Sequence, residues 1–107
     1  MKPLLGLCAL IALLIPAHAD EAQVALGLKM VTLYCTDCHA IGKTGDSRFA
    51  PAPPFRELHD RYDVELLSEA LVEGLVTAHP EMPEFEFDPD QAEAIIQYIK
   101  TLESAEN

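Results

Sequence analysis

Cys35-Thr36-Asp37-Cys38-His39 constrains this chain more than any other stretch. Two thiols three positions apart, followed directly by an imidazole, form the pattern for covalent haem attachment. Each residue type has a task in that chemistry. The thiols add across the two vinyl groups of a haem, and the two-residue spacer matches the separation of those vinyls. The adjacent histidine then lies under the iron as its proximal ligand. A thioredoxin-like redox pair would require a strand before the motif and a βαβ context, and the pattern here provides neither. A zinc site would require a second ligand pair, yet the only other cysteine is Cys8, in an apolar N-terminal run. The motif therefore reads as Cys35 and Cys38 binding haem covalently, with His39 on its iron.

The N-terminal run reads as a targeting segment. Lys2 is a short positive start, Leu4 to Ile15 is apolar but too short to span a bilayer comfortably, and Pro16 breaks it. Ala17-His18-Ala19 fits a small-x-small cleavage site, so residues 1–19 are expected to be a signal peptide and 20–107 one exported, periplasmic domain. Cys8 is a poor lipidation site because the bulky Leu7 precedes it. No stable membrane insertion is expected once the signal is removed.

Charge and size narrow the rest. Eighteen acidic residues against 7 basic ones give a formal charge of −11, and loss of Lys2 makes it more negative still. A nucleic-acid binder needs a basic footprint, so that class is excluded. A domain this short buries a limited apolar core, and with two cysteines committed to haem no disulfide can reinforce it. The haem itself is expected to be much of the core.

Periodicity predicts helices and no strands. The first should run from about Glu21 into the motif, with Val24, Leu28, Val31, Leu33 and Cys35 as an approximate apolar stripe. Gly27 costs a helix about 1 kcal/mol relative to alanine. It shares a face with Val31 and Cys35, which points to close approach by another helix. Glycines and prolines between Gly42 and Pro54 then make an irregular loop, and a carbonyl there is well placed to hold the second ring nitrogen of His39. Phe55 to Tyr62 can form a turn or two with Phe55 and Leu58 inward, leaving His59 as a solvated surface histidine. A second helix is predicted from an Asp63 N-cap, with Tyr62 and Leu67 as a hydrophobic staple. It carries Leu67, Ala70 and Leu71 inward and Glu65, Glu69 and Glu73 outward, and stops near Gly74. The last helix starts with Asp88, Pro89 and Gln91, a capping-box-like sequence, and its stripe is Ala92, Ile95, Ile96, Ile99 and Leu102. Tyr98 borders that stripe, where it could lie across Gly27.

A haem iron bound by one imidazole takes a sixth ligand or stays open. Met82 lies between Pro80 and Pro83, which hold it extended with little entropy to lose. A thioether there would stabilise ferrous iron and raise the potential. Met82 is the favoured distal ligand, and His79 is the competitor. Met30 falls within the first helix.

These residues in this order resemble the class I cytochromes c, in their small soluble monohaem bacterial branch. The likeness spans nearly all of 20–107. It includes Gly27 eight residues before Cys35, the attachment motif, the proline-rich loop, Gly74, Met82-Pro83-Glu84-Phe85, and Tyr98-Ile99-Lys100-Thr101-Leu102 near the end. The resemblance implies an all-α fold of about three main helices and a short one wrapped around haem c and its iron. It implies that the proximal histidine bonds a proline carbonyl, Pro53 by alignment, with Pro51 and Pro54 as alternatives. It also implies a crossing of the terminal helices at Gly27 and Tyr98. The chain departs from the family in having no tryptophan to contact a propionate, and in an acidic surface where many relatives present lysines.

The function implied is electron transport by a monomeric carrier, not an enzyme, cycling Fe(III)/Fe(II) between periplasmic redox partners. Its acidic surface favours partners with a basic docking patch, and Glu81, Glu84 and Glu86 flank the proposed ligand. Two other classes compete with this reading: an electron-transfer subunit of a periplasmic dehydrogenase, and a gas-binding or peroxidatic haem protein with an open sixth position.

Overall fold

Asp88 and Gln91 begin the helix on which the other elements rest. The computed structural model describes residues 17–74 and 81–103. In it the Gln91 N–H donates to Asp88 Oδ1 at 2.8 Å, and the Asp88 N–H donates back to Gln91 Oε1 at 3.2 Å. This reciprocal cap satisfies two N–H groups that the first helical turn would otherwise leave open. The chain contains four helices among the described residues. They are α1 (Ala17–Tyr34), a short 3₁₀ helix (Phe55–Asp60), α2 (Leu66–Glu73) and α3 (Pro89–Glu103). No strand occurs among those residues, so the all-α expectation holds.

Helix α3 packs most extensively on α1 and also meets α2 and the 3₁₀ helix. The entire expected stripe, Ala92, Ile95, Ile96, Ile99 and Leu102, is buried, and Ala94 and Tyr98 join it. Each large aliphatic side chain so buried contributes about 1.5–3 kcal/mol relative to leaving it in water. Phe55 and Leu58 also face inward, as their spacing predicts.

Helix α1 departs from its expected stripe. Val31 is fully buried and Val24 packs against the core, but Leu28 and Leu33 are exposed, Leu33 by 62%. Met30 is buried in their place. Crowding at Gly27 is the reason. A Cβ there would collide with the Ala94 backbone carbonyl and stand 2.7 Å from Tyr98 Cβ. With Gly27 at the centre of the contact, the inward face is set by Val24, Met30 and Val31, and apolar content alone did not reveal that.

Helix α2 starts later than expected. Asp63 Oδ1 takes the Glu65 N–H at 3.0 Å, but the first turn is tight. Leu66, Leu67 and Ser68 donate to the carbonyls three residues back, at Asp63, Val64 and Glu65. The α-helix proper begins at Leu66 with Glu65 as its cap residue. The tighter turn accompanies burial of Val64, a core residue outside the predicted stripe. The helix ends at Glu73, followed by Gly74 at φ 102°, a conformation that favours glycine. His59 is half-buried rather than solvated, with Nε2 3.4 Å from Asp60 Oδ1. Among the described residues no helix is long and apolar enough to cross a membrane. Most of the expected signal peptide, His79 and the C-terminal residues 104–107 lie outside the described residues.

Gly27→Ala decides whether the crossing is as close as this geometry implies. On a free helix alanine would stabilise by about 1 kcal/mol. Here the added methyl should instead destabilise by about 1–3 kcal/mol, because Ala94 and Tyr98 must move. Denaturant unfolding of the haem-loaded protein measures it, and a raised midpoint would contradict the close crossing.

Candidate functional site

The attachment motif continues α1 as one further turn. The Cys35 N–H donates to the Val31 carbonyl at 2.9 Å, and the His39 N–H donates to the Cys35 carbonyl at 2.9 Å. A helical turn places residues three apart on one side, so Cys35 and Cys38 are presented together. Both sulfur-bearing side chains are half-buried. Before haem is attached, burial, reinforced by the neighbouring Cys38, pushes the Cys35 thiol up to about 12.

His39 is held from the loop that follows. Its Nδ1 lies 2.8 Å from the Pro53 carbonyl oxygen. A carbonyl only accepts, so Nδ1 carries the proton and donates, leaving Nε2 as the nitrogen with a free lone pair. Of the prolines considered from the sequence, Pro53 is the one in this contact. The loop is pinned at several points to bring that carbonyl into place. The Phe49 N–H donates to the Cys38 carbonyl at 3.1 Å, and the Phe55 N–H donates to the Ala40 carbonyl at 2.9 Å. The Ala40 N–H donates to Ser47 Oγ at 3.0 Å, and the Phe55 ring lies beside the imidazole at 4.9 Å between centroids. Tyr98 Oη donates to the Ile41 carbonyl at 2.6 Å, tying this loop to α3.

Cys35, Cys38, His39 and Met82 all line one cavity of about 800 Å³. Such a volume lies within the range of roughly 300–1,000 Å³ usual for cofactor sites. Its walls are largely apolar and come from every part of the fold. Phe55 and Leu58 belong to the 3₁₀ helix, Leu67 and Leu71 to α2, and Ile95 and Ile99 to α3. Met30 is in the core and does not line the cavity, whereas Met82 is half-buried on its wall. The donor set fits haem c: two thiols on one turn, a histidine with its lone pair on Nε2, and a thioether from a distant segment.

A model of the cytochrome c family matches residues 24–103, most of the chain. The chain belongs to the cytochrome c family. It is similar to the cytochrome c-552 of Bradyrhizobium diazoefficiens, with 29% identity over 98 residues, covering 91% of this chain and 92% of that protein. No solved structure matches it. As a class I c-type cytochrome, the protein carries covalently attached haem c with iron, transfers electrons and acts on redox partners.

The sequence placed neither Arg61 nor Tyr62 at a haem site: Arg61 had no role in it, and Tyr62 only that of a hydrophobic staple. Arg61 and Tyr62 are exposed but border the cytochrome's cavity. Burial raises the Tyr62 hydroxyl above its usual range, while the adjacent Arg61 charge opposes that shift. The available signal was a cation beside an aromatic in the turn after the 3₁₀ helix. That signal is weak, because such pairs are common on surfaces.

Haem should stay with this cytochrome through acid–acetone extraction and denaturing electrophoresis. It should be released in a Cys35→Ala, Cys38→Ala double variant. Haem lost from the unaltered chain under those conditions would contradict thioether attachment at these positions.

Proposed function

We propose that the protein is an exported single-electron carrier in which His39 and Met82 fill both axial positions and Cys35 and Cys38 form the thioethers. One observation supports this most directly: the cavity joins donors from two separate parts of the chain, the turn after α1 and the segment before α3. Haem supplies the Fe(III)/Fe(II) couple when bound. The protein's own residues do the rest. The Pro53 carbonyl fixes the tautomer and orientation of His39. Apolar walls limit water, and with a thioether ligand they favour the ferrous state and a higher potential. Arg61 and Tyr62 offer a charge and a hydroxyl for the propionates, the role that the missing tryptophan left open. With His39 and Met82 holding the iron, no position would be left on it for a substrate. Residues 1–19 direct export to the periplasm, and the working protein is a monomer.

Met82→Ala should abolish the methionine–iron charge-transfer band of the ferric protein and lower the potential. Because His79 is close in sequence, Met82→Ala with His79→Ala should give an open haem that binds carbon monoxide when reduced. Loss of the native sixth ligand in His79→Ala alone would assign that role to His79.

Charge indicates the partner. Glu81, Glu84 and Glu86 are exposed, and Glu81 borders the cavity. Asp37, between the two thiols in sequence, is exposed and borders it as well. Acid from both the attachment turn and the segment bearing Met82 suits a partner with a basic patch, whose approach it would steer. Reversing the three glutamates to lysine should slow transfer to the native partner about tenfold or more at low salt while barely changing the potential. The difference should shrink as salt rises, since the Debye length is only about 8 Å at physiological ionic strength. Equal second-order rates with a flat salt dependence would show that these charges serve solubility instead.

A further inference from the structure

An aromatic cluster joins the attachment turn to the segment that carries Met82. Tyr34 is the last residue of α1 and directly precedes Cys35. Its ring meets Phe85 at 6.0 Å and Phe87 at 5.5 Å between centroids, edge-on at 63° and 64°. Phe85 and Phe87 are themselves 5.3 Å apart and nearly parallel, at 17°. Residues two apart on an extended chain share a side, so the segment presents both rings to one tyrosine. Edge-to-face pairs are favourable beyond the area they bury. A backbone bond secures the far end, where the Phe87 N–H donates to the Leu71 carbonyl of α2 at 2.8 Å.

Tyr34 is outside the core and touches it through Phe87. It is 49% exposed and is not a member of the core cluster. Its ring meets Phe85 and Phe87 of the Met82 segment, and together with them it lines the cavity.

We propose that Tyr34 is a positioning residue for the sixth ligand, holding the segment 81–87 at a set distance from the attachment turn through Phe85 and Phe87. The proposal rests on the reading of Met82 as that ligand. An added ligand such as imidazole reaches the iron only when Met82 has left it. Its apparent affinity therefore reports the fraction of molecules with Met82 detached. Losing the Tyr34 ring increases that fraction.

The experiment titrates ferric haem-loaded protein with imidazole, following the haem's Soret absorption in every variant and, where Met82 is present, the methionine–iron charge-transfer band as well. Tyr34→Ala should bind imidazole roughly tenfold more tightly than the unaltered protein. Tyr34→Phe, which keeps the ring, should match the unaltered protein within about twofold. Leu33→Ala, at the neighbouring exposed position, should match it too. In a Met82→Ala, His79→Ala background, adding Tyr34→Ala should change nothing, because no ligand remains to be positioned. Unaltered imidazole affinity in Tyr34→Ala would overturn the proposal. So would an equal gain in the background without Met82, which would mean that the ring only screens the cavity. Survival of the charge-transfer band in Met82→Ala would instead overturn the ligand reading itself, and the Tyr34 proposal with it.

Discussion

The close crossing of α1 and α3 at Gly27 governs where everything else can be. Without a side chain at Gly27, the α1 backbone meets Ala94 and Tyr98 directly. That contact sets both the separation of the two helices and the rotation of α1 about its axis. Rotation decides that Val31 faces the core and Leu33 faces water. It also decides where the turn bearing Cys35 and Cys38 emerges, because that turn follows directly on α1 and Cys35 is bonded back to Val31. The site thus inherits its position from a contact two helical turns away.

The loop after the motif depends on the same crossing through Tyr98. Its Cβ lies against α1 at Gly27, while its hydroxyl reaches the Ile41 carbonyl. One side chain therefore relates the helix crossing to the loop that folds back over His39. Within that loop, backbone bonds from Phe49 and Phe55 return the chain to Cys38 and Ala40. The Pro53 carbonyl then lies within reach of Nδ1. Prolines suit this loop because they restrict the unfolded chain while requiring no N–H partner of their own.

Local chemistry was legible wherever neighbouring residues determine it. The attachment motif could be read because thiol spacing and an adjacent imidazole belong to one helical turn. Helix α3 could be read because its cap and its stripe are both short-range patterns. Gly74 could be read because helices so often end on a residue that tolerates positive φ. Less legible were the inward face of α1, the late start of α2 and the burial of Val64. These depend on how closely another element approaches, and no window of sequence contains both partners.

The sequence by itself determined the helical class, the covalent chemistry and the acidic character of the surface. Spacing, periodicity and charge are properties of the chain before it folds. The tertiary structure put Pro53, the proline the resemblance favoured, against His39, and Met82, the methionine the sequence favoured, on the cavity with the thiols. It alone brought Tyr34 against Phe85 and Phe87, and placed Arg61 and Tyr62 at the cavity's edge. Those groups are far apart along the chain. Their meeting is a consequence of packing, since which side chains share a wall follows from how α1, α2 and the 3₁₀ helix settle around α3.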